Sequence, residues 1–94
     1  MSLDIDIGDE EFNITYNYSY ALPERLRNWS GLPGFAVEER VLEAIEHLAE
    51  NYDSFVEQEP RKCNGWGTME LLAGLLVRML AACKKYPDAI VEVL

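Results

Sequence analysis

The chain has few basic residues. Its 94 residues include 8 Lys and Arg against 17 Asp and Glu, which gives a formal net charge of −9 at pH 7. The phosphates of nucleic acids repel such a surface, so direct binding of DNA or RNA is disfavoured. The same charge favours a partner with a basic surface, including a protein that itself binds nucleic acid.

Cysteine and long apolar runs are also scarce. Cys63 and Cys83 are too few for a disulfide framework, so we expect reduced thiols, with a single bridge as the alternative. The first residues lack the basic and apolar segments of a signal peptide. No apolar run approaches the ~20 residues that span a bilayer. We therefore expect a cytoplasmic protein that does not bind membranes.

Catalytic and metal-binding motifs are missing as well. The only histidine, His47, lies among glutamates and is interpreted as a solvated side chain, although a pairing with either cysteine is left open. The acidic residues between Asp4 and Glu11 lack the spacing of a calcium loop. No glycine-rich phosphate loop is present. We predict no enzymatic activity, no metal and no cofactor.

The hydrophobic pattern predicts one α+β domain over residues 1–94, with a small sheet of two or three strands. The clearest strand is at about 12–20, where aromatic and branched residues alternate with Asn, Thr and Ser. A second strand is predicted at about 89–93 and is expected to pair with the first. Residues 3–7 alternate too, which is typical of either an edge strand or a frayed terminus.

Two main helices and one short helix are predicted to pack against this sheet. The short helix begins at Pro23 and spans about 23–29. The main helices span about 36–50 and about 68–85, and a polar connection from Glu57 to Gly67 joins them, with Tyr52 and Phe55 in a looser turn before it. The last helix is apolar almost all round, so it is either central to the domain or shared with another subunit.

The turn before the last helix, whose expected N-cap is Thr68, is the first candidate site. Gly65 and Gly67 permit unusual backbone angles around Trp66, which either fills the core or stacks on a flat ligand. In the second interpretation, amides at the helix start bind an anion. The polar residues of the predicted first strand form either a wet sheet face or a binding row. The candidate ligand or partner residues are Arg61, Asn64, Trp66, Thr68, Asn13, Thr15 and Asn17.

Three segments stand out as motifs, namely the strand Asn13-Ile14-Thr15-Tyr16-Asn17, the turn Asn64-Gly65-Trp66-Gly67-Thr68 and the run from Cys83 to Val93. Together they resemble a family of small uncharacterised proteins from phages and bacterial genomes. The Asn-Gly-Trp-Gly turn is the specific element, and the resemblance covers about 12–20 and 64–93. It implies a phage or bacterial cytoplasmic setting and a shared α/β core, and it carries over no functional residue.

Three functions are compatible with these features. The first is a non-enzymatic, acidic, phage-type accessory protein that binds and inhibits a host protein involved in defence or in nucleic-acid handling. The second is an oligomeric sponge that binds a nucleotide signal near Trp66, with Arg61 or Lys62 close by. The third is a structural or assembly protein that forms a homo-oligomer through its last helix.

Overall fold

A three-stranded antiparallel sheet and three α-helices form the fold of this chain in a computed structural model. The structure describes residues 2–63 and 67–94. Two 3₁₀ segments follow the first hairpin. In chain order the elements are β1 (Ser2–Ile7), β2 (Glu10–Thr15), a first 3₁₀ segment (Tyr16–Ala21), a second 3₁₀ segment (Leu26–Trp29), α1 (Gly34–Glu50), α2 (Tyr52–Lys62), α3 (Met69–Lys85) and β3 (Glu92–Val93). The predicted α+β class and its two main helices are confirmed.

The sheet has the order β2-β1-β3, so the N-terminal strand is central. A two-residue turn joins β1 to β2, and Gly8 has a φ of 62° there, a left-handed angle that glycine adopts without strain. On the other side, β3 pairs with β1 through Ile5 and Val93. The prediction that the last strand pairs with 12–20 was therefore wrong. Residues 3–7 form a strand, and it supplies the centre of the sheet.

The predicted strand at 12–20 was too long, because the strand ends at Thr15. The backbone then turns into the first 3₁₀ segment, and the Thr15 side chain accepts a hydrogen bond from the Asn17 amide at its start. The predicted short helix at 23–29 is instead a four-residue 3₁₀ segment. The predicted polar connection and the looser turn around Tyr52 and Phe55 were also wrong, since Tyr52–Lys62 is helical, with Pro60 in its last turn.

The core lies between one face of the sheet and helices α1 and α3. Helix α3 contacts both β1 and β2 and packs most extensively against α1. An ion pair of 3.5 Å between Glu38 and Lys84 joins the start of α1 to the end of α3, so the two helices are antiparallel. Among the described residues, none of the buried side chains is charged. No helix within residues 2–63 and 67–94 combines the length and apolarity that crossing a membrane requires.

Candidate functional site

The first 3₁₀ segment organises the region around the predicted tryptophan turn. A 3₁₀ helix has three residues per turn, so side chains at i and i+3 share a face. Tyr16 and Ser19 therefore lie on one face, Asn17 and Tyr20 on a second, and Tyr18 and Ala21 on a third. The third face is buried in the core, and the other two are half-buried or exposed. Each face has different contacts.

The second face holds the end of α2. The Asn17 side-chain amide donates a 3.1 Å hydrogen bond to the Cys63 carbonyl, and the Tyr20 hydroxyl donates one of 3.1 Å to the Phe55 carbonyl. The same hydroxyl lies 3.7 Å from the Cys63 sulfur. Burial is the main cause that raises the pKa of Tyr20, with the Cys63 thiol adding to it. This phenol therefore stays protonated and acts as a donor.

The third face meets the start of α3. Gly67 has a φ of 89°, and a Cβ atom added there would lie 2.5 Å from the Tyr18 hydroxyl oxygen. Burial raises the pKa of Tyr18, and a hydrogen bond from the Thr68 backbone partly offsets it. Cys63 and Gly67 thus both lie against one 3₁₀ segment. The predicted residues Asn64 and Trp66 lie outside the described residues.

A carboxylate of the chain itself, that of Glu59, already lies at the start of α3. Thr68 caps the helix, as predicted, by accepting a 3.1 Å hydrogen bond from the Leu71 amide. The Glu59 carboxylate, from α2, accepts a 2.6 Å hydrogen bond from the Met69 amide. A carboxylate at this position interacts favourably with the helix dipole and repels a second anion. This contact weighs against a nucleotide phosphate at the same helix end.

The other predicted site residues do not form one group. Arg61 is exposed in the last turn of α2. Asn13 lies on the outer face of the sheet, where its amide donates to Asp4 (2.8 Å) and Ser2 (3.0 Å). Thr15 caps the first 3₁₀ segment. The predicted polar row from Asn13 to Ser19 is therefore divided, and Asn17 is its member that contacts Cys63.

The groups with nucleophilic or basic chemistry lie in packed surroundings. Both cysteines are buried free thiols. Burial raises the pKa of Cys83 to about 11, so its thiol is protonated at neutral pH and is a poor nucleophile. The His47 ring packs against Phe55, with ring centroids 5.5 Å apart. Within residues 2–63 and 67–94, no cluster of His, Cys, Asp and Glu is placed to hold a metal ion.

The strongest charge feature is a row of carboxylates on the outer face of the sheet. In the strand register, Asp6 lies opposite Glu11 on β2 and opposite Glu92 on β3. Side chains opposite each other on neighbouring strands have Cβ atoms about 4.5–5.5 Å apart. We call Glu11, Asp6 and Glu92 the carboxylate row. Like charges in this arrangement destabilise a sheet, so the fold gains nothing from them.

A shallow depression of about 400 Å³ lies beside the carboxylate row. Asp9 and Ile90 contribute to its lining, and the Ile90 side chain is 57% exposed. The participation of Glu92 and Ile90 was not predicted. The available signal was the alternation of acidic and apolar residues in both 3–7 and 91–93, which places the carboxylates on one face once the two strands are paired.

Comparison of the chain with protein-family models, with curated proteins and with solved structures finds no match.

Proposed function

We propose that this chain is a non-enzymatic, phage-type accessory protein whose acidic sheet face binds a basic surface of a host protein. The carboxylate row is the observation that carries the proposal. Six carboxylates belong to the strands and the first turn, and residues 2–15 and 88–94 contain no Lys or Arg. The six residues are Asp4, Asp6, Asp9, Glu10, Glu11 and Glu92.

The outer sheet face has the properties of a binding surface for Lys and Arg side chains. Asp4, Glu11 and Glu92 are exposed on it, and solvent reaches them. A bound guanidinium or ammonium group would lie between carboxylates and relieve the repulsion within the row. The exposed Ile90 adds an apolar contact for the aliphatic stem of the same side chain.

The kind of partner follows from this charge. Proteins that handle nucleic acids present basic surfaces to phosphates, and an acidic sheet competes for such surfaces. The resemblance to phage proteins supports a partner from a bacterial host, and binding in the host cytoplasm would block a defence or nucleic-acid-handling factor. The nucleotide-sponge hypothesis stays a prediction, with Glu59 at the start of α3 weighing against it.

A pull-down from bacterial lysate with a charge-neutralised variant tests the proposal. The triple variant Asp6→Asn, Glu11→Gln, Glu92→Gln removes the carboxylate row at nearly constant volume. We expect the wild-type chain to retain a host protein that salt elutes, because exposed charge pairs are screened. The triple variant should lose that protein and should be at least as stable as the wild type, since like-charge repulsion is removed.

A second triple variant on α1 is the matched control. Glu43→Gln, Glu46→Gln and Glu50→Gln remove the same charge from exposed helix positions. Partner binding should survive in this control, so that net charge and local charge are separated. Loss of the partner from both variants, or retention by both, would show that the sheet face is not the binding surface.

Self-association through α3 is a second candidate function, and one observation favours it. Two large apolar side chains of this helix face solvent, namely Leu71 (60% exposed) and Val77 (56% exposed). Contact with another subunit would remove these apolar side chains from water. Size-exclusion chromatography with light scattering at micromolar concentration is expected to give a dimer or larger species that Val77→Glu dissociates. A wild-type monomer would exclude this function.

A further inference from the structure

A pocket of about 520 Å³ lies where β2 ends and the two 3₁₀ segments begin. We call it the corner pocket. Leu3, Ile14 and Leu26 lie at its base, and all three are buried core residues. Its volume falls in the range of small-molecule sites, roughly 300–1,000 Å³. The pocket is amphipathic, because apolar residues form its base and cationic residues form its rim.

One wall of the corner pocket is the first face of the 3₁₀ segment. Tyr16 and Ser19 share this face because the segment repeats every three residues. Leu22, which follows the segment, also lines the pocket. The other two faces of the segment are held by α2 and by the core. The wall is therefore fixed from behind, which favours a preformed pocket.

Two arginines form the rim. Arg25 and Arg27 are exposed and flank the buried Leu26. The Arg27 guanidinium donates a 3.2 Å hydrogen bond to the Tyr16 hydroxyl, and this contact holds it beside the wall. Guanidinium groups bind carboxylates and phosphates through paired hydrogen bonds.

The only carboxylate among the lining residues is directed to other partners. Glu24 forms a 2.6 Å ion pair with Arg40 of α1 and accepts a hydrogen bond from the Asn28 amide. Its charge is therefore balanced by Arg40, and Arg25 and Arg27 keep the rim positive. A positive rim is notable in a chain of net charge −9, because the rest of the surface repels anions.

We infer that the corner pocket binds a small amphipathic anion, with an apolar body against Leu22 and Leu26 and a carboxylate or phosphate head on Arg25 and Arg27. This inference is independent of the proposed protein partner. Leu3 and Ile14, at the base of the pocket, lie on the inner face of β1 and β2, whereas the carboxylate row lies on the outer face. The apolar body supplies binding energy through burial, and the head group supplies selectivity for anions.

Titration followed by methyl NMR tests the corner pocket. The probes are octanoate, octyl phosphate, octanol and acetate, which vary the head and the tail separately. We expect octanoate, octyl phosphate or both to bind about tenfold more tightly than octanol. Acetate, which lacks the apolar tail, should bind more weakly than octanoate and octyl phosphate. The methyl signals of Ile14, Leu22 and Leu26 should shift, and those of Leu76 in the core should not.

Two charge variants decide whether the rim arginines hold the head group. Arg25→Gln with Arg27→Gln should weaken binding of the anions about tenfold and leave octanol unchanged. Lys84→Gln with Lys85→Gln removes the same charge from the end of α3, outside the lining, and should keep the wild-type affinity. Equal binding of octanol and the anions, equal affinity of the arginine variant, or no binding of any probe overturns the inference.

Discussion

Replacing Leu76 with alanine is expected to lower the free energy of unfolding by about 2–5 kcal/mol, because it removes a fully buried side chain and leaves a cavity. Leu76 lies in the middle of α3, the helix that contacts both the sheet and α1. A loss of this size is a large share of the stability of a small domain. Urea unfolding followed by circular dichroism measures it.

Leu71→Ala is the matched control for the Leu76 change. It removes the same atoms from the same helix, but the Leu71 side chain is exposed. We expect a change within about 0.5 kcal/mol for this surface position. Similar losses from the two variants would mean that the two faces of α3 are equally covered, and the assignment of its buried face would be wrong.

Replacing Gly34 with alanine is expected to cost about 1–3 kcal/mol for a different reason, namely overlap with backbone. A Cβ atom at this position would overlap the carbonyl oxygen of Tyr86 and approach the Pro87 Cα atom to 3.2 Å. The Gly34 and Phe35 amides donate hydrogen bonds to the carbonyls of Ala89 and Pro87, so the start of α1 is held by the chain before β3. Neither backbone can move away without breaking these bonds. Thermal unfolding monitored by calorimetry measures the loss.

Gly74→Ala is expected to stabilise the protein, in contrast to Gly34→Ala. This glycine lies inside α3, and a Cβ atom there would meet nothing within 4 Å. Alanine has the higher helix propensity, so we expect a gain of about 0.5–1 kcal/mol. A loss of stability at Gly74, or no loss at Gly34, would contradict the packing described for these two positions.

The predictions from sequence succeeded where one hydrophobic pattern extends over many residues. Helix α3 was predicted with its Thr68 cap because seventeen residues repeat one helical pattern and a capping side chain precedes them. The same argument applies to α1. The strand at 12–20 was overextended because aromatic and branched residues alternate from Phe12 to Tyr20. The 3₁₀ segment that begins at Tyr16 instead places Tyr16, Tyr18 and Tyr20 on three different faces, which the alternation does not indicate.

Other parts of the fold depend on contacts that no local pattern reports. Helix α2 was missed because only Phe55 is buried on it and the residues from Glu57 onward were interpreted as a polar connection. The end of α2 is stabilised instead by Asn17 and Tyr20, which contact Cys63. Both residues are more than forty positions from Cys63 in the sequence, so no local pattern reports these contacts. The carboxylate row also requires the pairing of β3 with β1. None of the predicted site residues belongs to the carboxylate row, and only the acidic character of the chain was predicted from its sequence.

The central position of β1 has a consequence for synthesis of the chain. β2 covers one edge of β1 soon after it is made, but the other edge remains open until Glu92–Val93 has been translated, 86 residues after Ile7. At roughly 5–20 residues per second this interval is roughly 4–17 s. During that interval Asp4 and Asp6 act as gatekeepers, because charged side chains on an open edge oppose pairing with other nascent chains.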